Sequence, residues 1–307
     1  MKPGRDSVTV RVPGSTSNCG AGFDTLGLAL ALYNRVTLTL TGAPSARPPQ
    51  PERPSDVRAQ ELVALAAAGF FRAANVAPID FRFRVEGEVP PARGLGSSAT
   101  ILVGVLAGLD ALYGTNWSRH RLAELGTRIE GNPENICAGI FGGFTVSRCA
   151  PTAADYCDTI RVEVPPELAF VVASPALEMR TKESRGLLPA ALPFVDAARS
   201  VNSAAYLTAA FATGDFEKLR HAAGDFLHEP YRLPCIPGAR EAIECGVAAG
   251  ALTGWLSGSG SSVLCVVRPS IAPVVSTAMR AAFADAGIEC EVRALAADND
   301  GMRLGFL

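Results

Sequence analysis

The chain has 307 residues, with 28 Lys and Arg against 30 Asp and Glu and a formal net charge of -2 at pH 7. That balance excludes the basic surface nucleic-acid binding requires, and the length allows a large core shared by two domains. No apolar run reaches a membrane span or a secretion signal, so a cytoplasmic protein with no nucleic-acid or membrane partner is expected.

Residues 8–12 read as a strand, followed by a Gly/Ser/Asn-rich turn over 13–22. Asn18 and Asp24 sit in this glycine-rich region just before an apolar run. They read either as a substrate loop with both side chains in a cleft, or as an Asx turn with a helix cap at Asp24. Residues 33–40 read as a second strand. Residues 42–54 are rich in Pro and poor in apolar side chains, which predicts an exposed, mobile loop without function. The Ala/Leu content of 57–74 predicts a helix. Residues 79–85 alternate, with Ile79, Phe81, Phe83 and Val85 on one face and Asp80, Arg82 and Arg84 on the other, as a half-buried antiparallel strand does.

Pro91-Ala92-Arg93-Gly94-Leu95-Gly96-Ser97-Ser98-Ala99-Thr100 runs directly into the apolar segment 101–106. The helix predicted over 98–113 is apolar nearly all round and belongs in the core. First-turn amides at such a junction lack intrahelical partners, and the helix dipole adds partial positive charge, which suits phosphate oxygens. The glycines admit an anion to the main chain, and the serines offer hydroxyls to phosphate or Mg²⁺. A plain helix cap is the simpler alternative. No Gly-Lys-Ser/Thr follows, so this is not a Walker loop, nor does it have the Gly-x-Gly-x-x-Gly dinucleotide spacing.

A helix over 119–130 ends at Gly131-Asn132-Pro133. Glu130 at its end is either a solvated terminus or a metal ligand: a Mg²⁺ kinase needs one carboxylate, one hydroxyl, phosphate oxygens and water, and Glu130 with Ser98 meets that need. Strands are predicted at 142–147, 159–164, 169–174, 263–267 and 289–294, and helices at 196–212, 215–227, 239–249 and 272–286. This mixture without a regular βα repeat predicts an α+β fold. Pro165-Pro166 is the expected boundary between domains 1–165 and 166–307. Arg185 and Arg232 are suited to clamping a carboxylate through paired hydrogen bonds. A second Gly/Ser stretch, 255–262, reads as a turn. The eight scattered cysteines form no Cys-x-x-Cys pair and the three histidines lack zinc spacing, so buried apolar cysteines are expected rather than a metal site.

The glycine stretch at 91–100 resembles the phosphate loop of the GHMP small-molecule kinases, whose pattern is Pro-x-x-x-Gly-Leu-Gly-Ser-Ser-Ala. Residues 13–24 resemble the Pro-Ala-Thr-Ser-Ala-Asn-Leu-Gly-Pro-Gly-Phe-Asp of the homoserine kinase branch. Thr181-Lys182-Glu183-Ser184-Arg185 and His228-Glu229-Pro230-Tyr231-Arg232 look specific to that branch, and the likeness spans nearly the whole chain. It implies a two-domain GHMP kinase fold, ribosomal protein S5 domain 2-like in the N-terminal half and ferredoxin-like in the C-terminal half. It implies ATP bound on Pro91, Arg93, Gly94, Leu95, Gly96, Ser97 and Ser98, Mg²⁺ held by Ser98 and Glu130, and a homodimer. Homoserine is implied beside Asn18, Asp24, Asn135, Thr181, Arg185 and Arg232. In those roles Arg185 and Arg232 suit the carboxylate, Asp24 with Asn18 the ammonium, and Asn135 the reacting hydroxyl. Mevalonate kinase carries an aspartate where this chain has Asn135. An amide cannot act as a base at neutral pH, so catalysis by Asn135, Ser98 and Glu130 is expected to rest on positioning and Mg²⁺. Cys19, Ala21, Thr100, Glu134 and Ser261 depart from the family pattern. A kinase for another small alcohol, such as threonine or mevalonate, and a non-catalytic nucleotide-binding regulator are the alternatives.

Overall fold

Two sheets organise the chain, and the computed structural model describes residues 6–44, 48–53, 57–152 and 155–305 of it. The first half comprises β1 (Ser7–Ser17), β2 (Leu26–Pro44), β3 (Gln50–Pro51), α1 (Val57–Ala74), β4 (Ile79–Gly87), α2 (Ser97–Tyr113), α3 (Arg119–Glu130), α4 (Glu134–Phe141), β5 (Phe144–Cys149) and β6 (Tyr156–Val162). The second comprises β7 (Ala169–Pro175), α5 (Thr181–Arg185), α6 (Phe194–Thr213), α7 (Glu229–Arg232), α8 (Ala239–Ala248), β8 (Thr253–Leu256), β9 (Val263–Val267), α9 (Ala272–Asp285) and β10 (Cys290–Leu295). A last strand, β11 (Arg303–Gly305), returns to pair with β1.

The first sheet runs β11-β1-β2-β4-β3, with β5 on the N-terminal part of β2 and β6 on β5. Val8, Val10 and Val12 of β1, Val36 and Leu38 of β2, and Phe81 and Phe83 of β4 form one buried face. Against it lies α2, whose residues from Ala99 to Leu109 are all buried. Each fully buried Val or Leu there contributes about 1.5–3 kcal/mol, so the glycine loop at the start of α2 stands on a rigid base. The second sheet runs β10-β7-β9-β8, all antiparallel, and is covered by α8 and α9. This is the ferredoxin-like strand order, and the fold is α+β as the sequence predicts. A further apolar cluster joins the halves, with Leu28, Leu30 and Phe144 from the first packed on Phe170, Phe211 and Trp255 from the second. Phe144 and Phe211 stack at 4.3 Å.

Several expectations are corrected. The turn expected from residue 13 begins at 18, because β1 continues through Ser17 past a bulge at Pro13/Gly14. No helix follows Asp24. Its apolar run is the start of β2, a central strand paired with both β1 and β5, and a strand covered on both faces reads as continuously apolar. Part of the 42–54 segment is strand: β2 reaches Pro44 and β3 pairs with β4 in parallel, while 45–47 and 54 lie outside the described residues. The helix expected over 215–227 shrinks to a 3₁₀ turn, Phe216–His221. Beyond it Asp225 takes the amides of Leu227, His228 and Glu229 onto its carboxylate. Those amides are thereby lost to any helix running through them. Cys19, Cys137 and Cys265 are buried as expected, but Cys157, Cys235 and Cys245 are exposed. Among the described residues no helix is long and apolar enough to cross a membrane, and no group of three His, Cys, Asp or Glu is placed to hold a metal.

Candidate active site

A cleft of about 610 Å³ opens where the two halves meet, with the glycine loop at one end and a cluster of charged side chains at the other. The loop needs its glycines. Gly94 and Gly96 both have φ +72°, and a Cβ on Gly94 would collide with the Ser257 carbonyl oxygen. Its carbonyls are taken up outside the cleft. Ala92 O accepts from Met179 N (2.9 Å), Arg93 O from Ser262 N (3.2 Å), Gly94 O from Ser257 Oγ (2.7 Å) and Leu95 O from Ser15 N (3.1 Å). Thr100 Oγ1 donates to Ser97 O (2.7 Å) and accepts from Asn34 Nδ2 (2.8 Å), which pins the first turn of α2 from behind. The first-turn amides of α2 then have no intrahelical partner and face a cleft lined by Arg93, Gly94, Gly96, Ser97 and Ser98. Pro91 is exposed outside that lining, and the Leu95 side chain is buried in the junction core.

Ser98 and Glu130 line the same cleft, together with Arg58 of α1. Arg58 Nη2 donates to Ser98 Oγ at 3.4 Å. Burial raises the Glu130 carboxyl above the usual range, and the positive charges of Arg58 and Arg185 oppose that rise. A hydroxyl and a carboxylate are hard oxygen donors, and a two-ligand set leaves room for phosphate oxygens and water. The donor set therefore fits Mg²⁺.

At the other end Asp24 and Arg185 form a two-pronged ion pair, Nη2 to Oδ1 at 2.6 Å and Nη1 to Oδ2 at 3.1 Å. The sequence reading gives these two residues opposite ends of a substrate, yet they hold each other here. Asn18 is part of the frame: its Oδ1 accepts from Asp24 N (3.1 Å) and its Nδ2 donates to Gly258 O (3.2 Å). Of the two sequence alternatives for this turn, the cleft reading holds, since both residues line the cleft, while the Asn18 bond spans six residues rather than the two of an Asx turn and no helix follows Asp24. The Phe23 ring lies 5.2 Å from the Arg185 guanidinium carbon and 5.3 Å from that of Arg232. Arg232 is 2% exposed, and its Nη1 donates to Gly258 O at 3.2 Å while its Nε has no partner among the described residues. Burial, then repulsion from Arg185, lowers its pKa to about 10. Thr181 stands exposed at the rim.

Asn135 lies in the first turn of α4, between the two ends. Its Oδ1 accepts from Ser15 Oγ (2.9 Å), and its Nδ2 donates to Ser17 Oγ (3.0 Å) and Glu134 Oε1 (3.1 Å). Glu134 is buried, 4% exposed, and lines the cleft. Burial and then the negative charge of Asp24 push it up to about 8. With its amide nitrogen turned to Glu134 (3.1 and 3.3 Å), Asn132 also accepts from Arg185 Nη2 at 3.2 Å.

The structure thus brings Asn18, Asp24, Arg93, Gly94, Gly96, Ser97, Ser98, Glu130, Asn135, Thr181, Arg185 and Arg232 to one cleft. Sequence reasoning missed Arg58, Phe23 and the brace formed by residues 257–262. Arg58 carried no signal, being one arginine on a helix. The brace was visible only as a turn.

Fold and cleft together define the frame of a GHMP-type kinase. Residues 61–143 match the family model for the GHMP kinases N terminal domain, and 207–285 the model for GHMP kinases C terminal. The chain is 40% identical over 295 residues to a homoserine kinase of Moorella thermoacetica, covering 95% of this chain and 98% of the relative. It is 36% identical over 305 residues to one of Trichormus variabilis, covering 96% and 98%. The crystal structure of homoserine kinase from Cytophaga hutchinsonii superposes with a TM-score of 0.86 over 99% of both chains at 23% identity, a likeness of fold. The chain belongs to the homoserine kinase family within the GHMP kinases.

Proposed function

We propose that this chain transfers the γ-phosphoryl group of ATP to the side-chain hydroxyl of L-homoserine, giving O-phospho-L-homoserine and ADP. One observation carries the reading. The phosphate-binding loop shares its cleft with a resident Asp24–Arg185 ion pair and an Arg232 whose buried Nε has no partner among the described residues. An α-amino acid is a zwitterion. Entering between Asp24 and Arg185, it replaces one ion pair by two, ammonium on Asp24 and carboxylate on Arg185, without leaving a charge unpaired. The Nε–Nη2 edge of Arg232 supplies a second fork for the carboxylate, and Thr181 closes the rim.

Asn135 holds the hydroxyl in line with the γ-phosphorus, its own amide fixed by Ser15, Ser17 and Glu134. The hydroxyl oxygen forms the new P–O bond, and ADP leaves with the electrons of the old one. The hydroxyl proton goes to the transferred phosphoryl group or to water. Asn135 is no base, and Glu134, pushed up to about 8, is mostly protonated near neutrality. This favours positioning over proton abstraction, which a loose transition state tolerates. The amides of the glycine loop and of the first turn of α2 hold the phosphates. Ser98 and Glu130 would hold Mg²⁺, which when bound neutralises charge on the phosphates.

Two coarser parts of the reading go with it. The division between residues 1–165 and 166–307 is drawn at Pro165-Pro166, where the chain changes sheets, although β11 crosses back. The reading extends to a homodimer, and the exposed Phe194, Val195 and Val201 of α6 are apolar surface that favours one.

A coupled ADP-release assay over homoserine, threonine, mevalonate and shikimate tests the assignment. Homoserine is expected to turn over fastest. Equal rates across the panel, or none, would remove it.

A further inference from the structure

The Arg232 guanidinium is held from behind by a histidine whose protonation state the geometry defines. His228 has no exposed side-chain surface, and its Nε2 lies 2.9 Å from the Gly20 carbonyl oxygen and 3.5 Å from Asp225 Oδ2. A carbonyl only accepts, so Nε2 carries the hydrogen. Its Nδ1 lies 3.3 Å from Arg232 Nη1. A guanidinium only donates, so Nδ1 is bare. The ring is therefore the neutral Nε2–H tautomer. Asp225 fixes its backbone as well, accepting from the amides of Leu227 (2.8 Å), His228 (2.8 Å) and Glu229 (2.7 Å). The Phe23 ring, which lies against Arg232, is 5.4 Å from the imidazole.

With Nη1 committed to His228 and Gly258, the guanidinium cannot rotate freely, and its Nε–Nη2 edge is the one left for a ligand. We propose that His228 is the positioning residue for Arg232, its bare Nδ1 holding Nη1 so that the free edge faces the acceptor end of the cleft, and that a proton on Nδ1 releases that hold. A proton there replaces an acceptor by a donor aimed at a cation. The charged groups facing the ring are Asp225 on its own segment, Arg232 one turn on, and Asp24 across the N-terminal turn. Asp225 and Asp24 favour the proton; burial and Arg232 oppose it more strongly and keep the ring neutral. The proposal rests on the reading that Arg232 receives the carboxylate of homoserine.

Two variants separate the ring nitrogens. In H228Q the longer amide reaches the Gly20 carbonyl from the place of Nε2 but offers Nη1 no acceptor. In H228N the amide oxygen stands in for Nδ1 and has no proton to gain. The KM for homoserine is expected to rise about tenfold in H228Q, with kcat within about twofold and the KM for ATP unmoved. H228N is expected to rescue most of that loss. As pH falls below the usual imidazole range the parent KM for homoserine climbs, and in H228N the climb disappears. A parent-like KM in H228Q, or an acid climb that persists in H228N, overturns the proposal. Ring ¹⁵N shifts of His228 in the parent protein without substrate decide the tautomer independently of folding in either variant and of which alcohol is phosphorylated. An Nδ1–H tautomer or an imidazolium near neutrality ends the proposal even if homoserine is the substrate. A bare Nδ1 with no homoserine turnover would instead leave the positioning intact and sink the substrate reading.

Discussion

The two ends of the cleft are made of different material. The cradle at the phosphate end is main chain, drawn from one contiguous stretch whose shape two glycines dictate, with the Arg58, Ser98 and Glu130 side chains beside it. The acceptor end is side chain, drawn from the N-terminal turn, α4, α5 and α7. Backbone amides carry no titratable charge and need no neutralising, so the first end is complete without a ligand. Charged side chains must be paired wherever water is scarce, and the second end therefore keeps Asp24 and Arg185 on each other. Binding at one end fills a prepared cradle. Binding at the other exchanges partners.

The harshest way to break this contrast is Gly94→Ala. The added Cβ meets the Ser257 carbonyl oxygen at a positive φ, so the brace and the loop cannot both keep their places. A stability loss of roughly 2–4 kcal/mol is expected in denaturant melts. Turnover is expected to fall about 100-fold in the ADP-release assay through misplaced phosphates. Parent-like turnover in G94A would mean that the cradle is adaptable and the contrast false.

Arg185→Ala addresses the other end and should be gentler. Loss of the exchange partner is expected to raise the KM for homoserine by about 10–100-fold while the KM for ATP stays within about threefold. Should the ATP constant rise as well, Arg185 serves both ends and the division between them blurs.

The same contrast explains what the sequence disclosed. A cradle built from adjacent residues is legible because glycines, serines and the apolar helix behind them are local signals, and α2 and β4 lie within a residue or two of where periodicity puts them. The acceptor end had only weak local signals. Asp24 read equally as a substrate-loop residue or a helix cap, Arg185 and Arg232 were two arginines suited to a carboxylate, and nothing in their neighbourhoods indicated that Asp24 and Arg185 would pair. The brace at 257–262 illustrates the same limit, since its purpose is visible only in the hydrogen bonds Ser257 and Ser262 make to the distant loop. The failed helix at 215–227 is a further case. There Asp225 claimed three amides and turned the chain towards α7.

Glu229 gives the smallest expected effect and a control for buried charge away from the ligand. It is half-buried beneath the brace, and its Oε1 accepts from Leu256 N at 2.7 Å. Burial pushes its carboxyl up to about 8, far above its value in an unfolded chain. The folded state thus holds a proton that the unfolded state releases, and stability falls as pH rises from the unfolded pKa towards 8. Glu229→Gln keeps the acceptor for Leu256 and removes the titration. Thermal melts are expected to show a shallower decline with pH than the parent, a higher midpoint than the parent near pH 8, and turnover within about twofold. Glu134, raised to about 8 as well, shares its pocket with Asp24 and Arg185, so its slope should shrink when homoserine brings an ammonium beside it. The contribution of Glu229 should not respond. If homoserine flattens the parent curve but leaves the difference between parent and E229Q intact, proton linkage to the ligand belongs to the side-chain end of the cleft. If homoserine erases that difference too, Glu229 is coupled to the ligand through the brace, and the two ends are less independent than their construction implies.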